Sequence, residues 1–260
     1  MAYRELAPPP ALRGLAECGW VSTPGPAPLV TDVLPDGCMD LVWTGGRLLV
    51  AGPDTAPHPA RLDPGAPTVG LRFAPGMLPD LLGVPAAALR DQRVPLSDLH
   101  PRVGPSVRAS RGLRASESRR GCDPAAALLD GVTDVALTLL TIAGKPPDPS
   151  TRELAARIGA GDGVEATADA LGCTSRTLHR RCLTEFGYGP SVLRRVLRFR
   201  RASELLHAGV APAEVAAVAG YADQPHLSRE VRALAGVAPR QLASGANRST
   251  PLPSGSSTTA

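Results

Sequence analysis

Ala168-Asp-Ala-Leu-Gly172, followed by Leu178, Cys182 and Phe186-Gly-Tyr-Gly-Pro190, is written again as Ala216-Ala-Val-Ala-Gly220, followed by Leu227, Val231 and Ala235-Gly-Val-Ala-Pro239. Gly220 follows Gly172 by 48 residues and Leu227 follows Leu178 by 49, so the copies differ by one insertion in the turn. In each copy a small Ala lets a second helix approach the first, Gly permits a turn of positive φ, and apolar residues four apart keep the second helix docked. The spacing predicts a helix-turn-helix, twice.

Thr174 and Asp223 stand where the N-caps of the second helices belong, and Pro190, Pro212 and Pro239 suit first turns, where a missing N–H costs nothing. Between the copies Leu193, Val196, Leu197, Ala202, Leu205 and Leu206 recur at helical spacing. That predicts one long helix of about five turns, which would hold the two units at a fixed separation.

The run Gly220-Tyr-Ala-Asp-Gln-Pro-His-Leu-Ser-Arg229, continued by Gly236-Val-Ala-Pro239, resembles the signature of the AraC/XylS family of transcription regulators. Gly172-Cys-Thr-Ser-Arg-Thr-Leu-His-Arg180 and Arg198-Phe-Arg-Arg-Ala202 resemble that family's first unit and linker helix. The likeness covers Pro149 to roughly Asn247. It implies an all-α domain of seven helices with two helix-turn-helix units, and double-stranded DNA as partner. Leu227 and Val231 stand where the family often has Phe, and Gly189 and Ala238 where it often has a capping Ser or Thr.

Charge agrees with that implication. Residues 1–150 carry 14 Lys/Arg against 15 Asp/Glu, whereas residues 151–260 carry 14 against 9. A surplus of five positive charges, rich in Arg, is the footprint of a phosphate-backbone binder. The five cysteines, Cys18, Cys38, Cys122, Cys173 and Cys182, form no CxxC pair and read as buried thiols of a reducing cytoplasm. No charged-then-apolar leader opens the chain and no apolar run approaches 18 residues, so neither secretion nor a membrane partner is expected.

The N-terminal half has a different texture. Residues 1–28 are Pro-rich and read as extended and packed around Tyr3, Leu6, Leu12, Leu15 and Trp20. Strands are expected over 29–33, 39–44, 48–51 and 68–73, with Pro35-Asp-Gly37 a turn and Thr44-Gly-Gly-Arg47 a hairpin. Helical signals begin after Gly76: short helices at 77–82 and 85–89, longer ones over 96–113 and 124–142. The Arg-rich run 108–120 reads as an exposed helix end and loop. The fold class expected is therefore α+β: a β-rich, cupin-like barrel or sandwich with helices, then the seven-helix domain. In domains this gives 1–143 as a sensory or dimerising unit, 144–150 as a Pro-rich linker, 151–245 as the DNA-binding domain and 246–260 as a disordered tail.

Pro35-Asp-Gly-Cys-Met-Asp-Leu-Val-Trp43, Gly70-Leu-Arg-Phe-Ala-Pro-Gly76 and Val84-Pro-Ala-Ala-Ala-Leu-Arg-Asp91 resemble the N-terminal domain, of uncharacterised role, on one branch of AraC-like regulators. In the wider family the domain in this place binds a small-molecule effector or mediates dimerisation. The resemblance therefore implies an effector, a homodimer, and RNA polymerase as a further partner of an activator.

Recognition helices of this motif present their N-terminal residues to base edges in the major groove. The candidates for DNA contact are Ser175, Arg176, His179 and Arg180 in the first unit, and Gln224, Pro225, His226, Ser228 and Arg229 in the second. Arg pairs with guanine O6 and N7, Gln with adenine N6 and N7. Of the arginines on the long helix, Arg198 is expected on phosphate. Asp40, Trp43 and Arg72, charged or aromatic residues within apolar strands, are candidates for an effector pocket.

Catalysis is not expected. The five His residues lie apart with no HExxH, Gly159-Ala-Gly-Asp-Gly163 lacks the strand and Lys-Ser/Thr of a phosphate loop, and no Gly-x-Ser-x-Gly occurs. No catalytic residue, metal or cofactor is therefore expected. Two rivals remain: a small-molecule-binding protein whose basic helices dock to a protein partner, and an enzyme fused to a DNA-binding domain.

Overall fold

The computed structural model describes residues 2–101, 103 and 123–244. Eight strands are present among them: β1 (Ala2–Leu6), β2 (Ala16–Thr23), β3 (Leu29–Val33), β4 (Met39–Thr44), β5 (Arg47–Ala51), β6 (His58–Leu62), β7 (Thr68–Phe73) and β8 (Arg93–Pro95). Six of them make one open antiparallel sheet in the order β1-β2-β7-β4-β5-β8, and β3 pairs with β6 in a separate ribbon.

Alternation explains the two faces of the large sheet. Val21, Leu41, Val50, Val69, Leu71 and Phe73 point to one side and are fully buried. They pack on α1 (Leu78–Leu82) and α3 (Pro124–Ala143), whose Leu128, Val132, Val135, Ala136 and Leu139 complete the core. By length and composition α3 is apolar enough to cross a membrane, but this stripe lies against the sheet. The other face carries Trp20, Asp40, Val42 and Arg72, and together with the β3–β6 ribbon it encloses a cavity.

The seven expected C-terminal helices are present: α4 (Pro149–Ala160), α5 (Val164–Ala170), α6 (Ser175–Phe186), α7 (Pro190–His207), α8 (Pro212–Val218), α9 (Gln224–Ala235) and α10 (Pro239–Ala243). Leu178, Cys182, Phe186, Leu193 and Val196 form the core of the first unit, and Phe199, Leu206, Val215, Leu227 and Val231 that of the second. The halves interlock. Leu34 enters the second helical core, and the end of α6 packs on the Pro53 and Ala86 region of the N-terminal half.

Several expectations are corrected. Residues 1–28, read only as extended, supply two strands, and β6 was missed because it contains Pro59, which a ribbon edge tolerates. Of the helix expected over 96–113, the described residues show α2 (Leu96–Leu99), which ends where Pro101 disfavours helical backbone at His100, at φ −133°; residues 102 and 104–113 lie outside the described residues. The sheet is open, so the barrel alternative gives way to a sheet covered by a ribbon and helices. The calls on residues 108–120, Cys122 and the tail 246–260 lie outside the described residues.

Candidate nucleic-acid interface and N-terminal cavity

The two helix-turn-helix units repeat one another in detail. Gly172 and Gly220 adopt φ of 62° and 74°, and the residues after them, Cys173 and Tyr221, donate backbone N–H groups to the carbonyls of Ala168 and Ala216 at 2.9 and 2.8 Å. A side chain at either glycine would be strained in this left-handed backbone. The second helices are capped as their sequences imply: the Thr174 hydroxyl accepts from the Thr177 N–H at 3.2 Å and Asp223 from the His226 N–H at 2.6 Å.

Docking of Leu178, Cys182 and Phe186 turns the opposite face of α6 outward, so Ser175, Arg176, His179 and Arg180 are exposed. On α9, Gln224, Pro225 and Arg229 are exposed, while His226 and Ser228 are half-buried. Arg180 and Arg229 occupy the same slot of the two units. His226 is partly held by its own turn, with its ring edge-on to Tyr221 at 5.3 Å and Nδ1 accepting from the Ala222 N–H at 3.4 Å. The His179 ring packs against Gly189, the uncapped entry to α7.

Arg198, expected on phosphate, is engaged within the protein. Its guanidinium lies 4.3 Å from the centre of the Tyr221 ring, donates to the Gly220 carbonyl at 3.5 Å and pairs with Glu230 at 3.7 Å. Arg195 holds the same Glu230 at 2.7 Å, so these two arginines clamp α7 to α9. Arg200 faces the N-terminal half. Elsewhere on α7, Arg194 and Arg201 are exposed, whereas Arg195, Arg198 and Arg200 are half-buried.

The N-terminal cavity, about 290 Å³, lies between the sheet and the ribbon. Asp40 and Arg72 both line it, opposite one another in register on β4 and β7. Trp43 does not: it is three residues from Asp40, so the strand turns it to the helix-packed face. Trp20 takes the place expected of Trp43. Its ring lies flat over Gly70, where a Cβ would overlap it, stacks on Tyr3 at 6.0 Å and donates Nε1–H to Asp40 at 2.8 Å.

Arg72 is buried among three carboxylates, with Asp36 at 3.4 Å, Asp40 at 3.5 Å and Glu5 at 3.6 Å. None of these ion pairs satisfies its Nε or Nη1 as a hydrogen bond. Burial pushes the Asp40 carboxyl up to about 6, against the pull of Arg72. Nearby, Asp54 receives both prongs of Arg93 at 2.6 and 2.9 Å, and burial lowers His58, favouring the neutral ring. Sequence reasoning missed Tyr3, Trp20 and Asp36 as cavity residues. Asp36 was legible only as part of a turn, and the register that brings Trp20 to Asp40 comes from pairing with β7. Burial also raises the Cys38 thiol well above its ordinary range, which favours the protonated form. Among the described residues no group of three or more His, Cys, Asp or Glu could hold a metal ion.

Residues 167–244 match a family model described as a helix-turn-helix domain, and residues 4–95 one described as a domain of unknown function (DUF6597). A search of curated proteins gives no match. Among solved structures, an apo form of ToxT from Vibrio cholerae is 11% identical over 86% of this chain and 96% of that one, with a TM-score of 0.46. A second ToxT structure is 9% identical over 93% and 97%, TM-score 0.45, and an unsaturated fatty acid bound form 9% identical over 84% and 95%, TM-score 0.41.

Proposed function

We propose that this chain is a DNA-binding transcription regulator whose helical half is of the AraC type, that it reads two successive major-groove segments of one site, and that a small molecule in its N-terminal cavity controls it. The observation that carries the reading is the duplicated presentation of exposed polar side chains. Arg180 and Arg229 stand in the same slot of two capped helices whose other faces are buried. Ser175, Arg176 and His179 accompany the first, and Gln224, Pro225, His226 and Ser228 the second.

The division of labour follows the elements: residues 1–143 sense, 144–150 link, and 151–245 bind double-stranded DNA in the cytoplasm. A homodimer through the N-terminal half and a contact with RNA polymerase fit an activator of this kind. The protein-docking rival needs a basic face without steep salt dependence. An enzyme needs a catalytic constellation, and the sequence offers no HExxH, Gly-x-Ser-x-Gly or phosphate-loop motif to supply one.

The test is selection of bound sites from random duplex DNA by the full chain, followed by affinity across a salt series. An enriched sequence, with affinity falling by orders of magnitude between low and physiological salt, is the expected result. No enrichment and a flat salt response would overturn the reading in favour of protein docking.

A further inference from the structure

We propose that the N-terminal cavity takes a small organic cation, an amine on an aromatic or short apolar body, held between the Trp20 ring and the Asp40 and Asp36 carboxylates. The proposal rests on the reading of this cavity as the effector site and adds the chemical class of the effector.

Charge decides the class. Arg72 brings one positive charge to a buried cluster in which Glu5, Asp36 and Asp40 bring three negative ones. Arg93 gives both prongs to Asp54, whose charge it balances, and acts on Asp40 only as a weaker, more distant pull than Arg72. His58 favours its neutral form, and Arg61 is exposed and paired with Asp63. An entering carboxylate or phosphate would meet a guanidinium already ringed by three like-charged groups. An entering ammonium would meet two carboxylates short of positive charge, in a site where low dielectric strengthens the attraction.

Shape and polarity agree. The Trp20 and Tyr3 rings both line the cavity, and an electron-rich aromatic wall beside carboxylates is a surface a cation prefers. Val33, Val42, Leu49 and Ala51 supply apolar wall for the remainder of the molecule. At about 290 Å³ the space suits a single-ring compound rather than a long acyl chain. Asp40 is the most responsive group: Tyr3 and Glu5 from β1, Cys18 from β2, Asp36 from the turn, Arg72 from β7 and Arg93 from β8 surround it. Its raised pKa reflects burial that its neighbours do not fully compensate.

The sequence holds two tryptophans, and only Trp20 lines the cavity. Trp43→Phe therefore leaves a single tryptophan, at the site, to be excited selectively. With that variant, phenethylamine, 2-phenylethanol and 3-phenylpropionate form a series of one body and three charges. Saturable quenching by the amine at concentrations at least tenfold below those needed for the other two is expected, with calorimetry on the unmodified chain giving the same order. Asp40→Asn, which keeps an oxygen for the Trp20 N–H, should weaken the amine at least tenfold and leave the alcohol unchanged. Lowering the pH through about 6 should weaken the amine in the same way as Asp40 takes up its proton. Tighter binding of the carboxylate or the alcohol overturns the cation while leaving the cavity as an effector site. Silence from all three up to millimolar concentrations overturns both. Neither outcome touches DNA binding, which is read separately by site selection.

Discussion

Arg200 and Glu17 form a two-pronged ion pair, Nη1 and Nη2 of the guanidinium each 2.9 Å from a different oxygen of the carboxylate. The pair joins α7, the helix between the two DNA-reading units, to β2, the strand that carries Trp20. Nη1 also reaches the Cys38 Sγ at 3.4 Å, and the Cys38 backbone N–H donates to Oδ1 of the cavity residue Asp36 at 2.8 Å. A short chain of contacts thus runs from cavity to linker helix. Arg200→Ala leaves Glu17 half-desolvated and unpaired, with a cost of about 1–3 kcal/mol, below that of breaking a fully buried pair because both side chains retain some water. Denaturant titration of Arg200→Ala, Glu17→Gln and the double variant measures the coupling. The salt slope of DNA binding should stay unchanged; a slope reduced by about one would put Arg200 on phosphate instead.

The helical half should fold alone but less stably. Its two cores are internal except for Leu34, which belongs to the N-terminal half. Separation also uncovers Tyr188, now fully buried, and the face of Leu197 that meets Gly37. A fragment of residues 149–244 is expected to give a helical circular dichroism spectrum with a lower melting midpoint than the full chain. A spectrum without helix would show that the N-terminal half is required for the fold.

Asp40 should make stability depend on pH in a defined direction. The folded state keeps its proton up to about pH 6, whereas the unfolded chain loses it near the ordinary carboxylate value of 3.8. Between those values the folded state binds more protons, so this group's contribution to stability is fully present below the window and is lost as pH rises through it. Asp40→Asn lacks this loss. It should exceed the unmodified chain in stability by about 1–3 kcal/mol at pH 7 and converge with it at pH 4. Equal stabilities at pH 7 would mean that Arg72 compensates the charge completely.

The helical half was legible in the sequence because its signals are local and repeated: caps, turn glycines and apolar residues four apart act within one or two turns of chain. Strands β4, β5 and β7 were legible by alternation and their flanking turns. The strands missed have weak local signals, since β2 carries Gly19 and β6 carries Pro59, and only partners far along the chain make them strands. The same distance hid the roles of the arginines on α7. Glu17 lies 183 residues from Arg200, and nothing near either residue announces the other. Trp43 is a different case, because alternation already places it on the face opposite Asp40.

The last prediction concerns how the two units share one site. Because both lie on one chain, their target need not be palindromic, and α7, clamped to α9 by Arg195 and Arg198 through Glu230, acts as a rigid spacer. Successive major-groove segments on one face of duplex DNA lie one turn, roughly 34 Å, apart. Arg180→Ala should therefore flatten base preference in one segment and Arg229→Ala in the other, each costing about 1–3 kcal/mol at a guanine if the contact is bidentate. Arg198→Ala should behave differently from a phosphate contact: losing its hold on Tyr221 and Glu230, it should lower thermal stability and blur the α9 segment rather than weaken all sequences alike. A base-by-base affinity profile of each variant decides the matter. If Arg180→Ala and Arg229→Ala flatten the same positions, or neither alters any preference, the two units do not read separate segments.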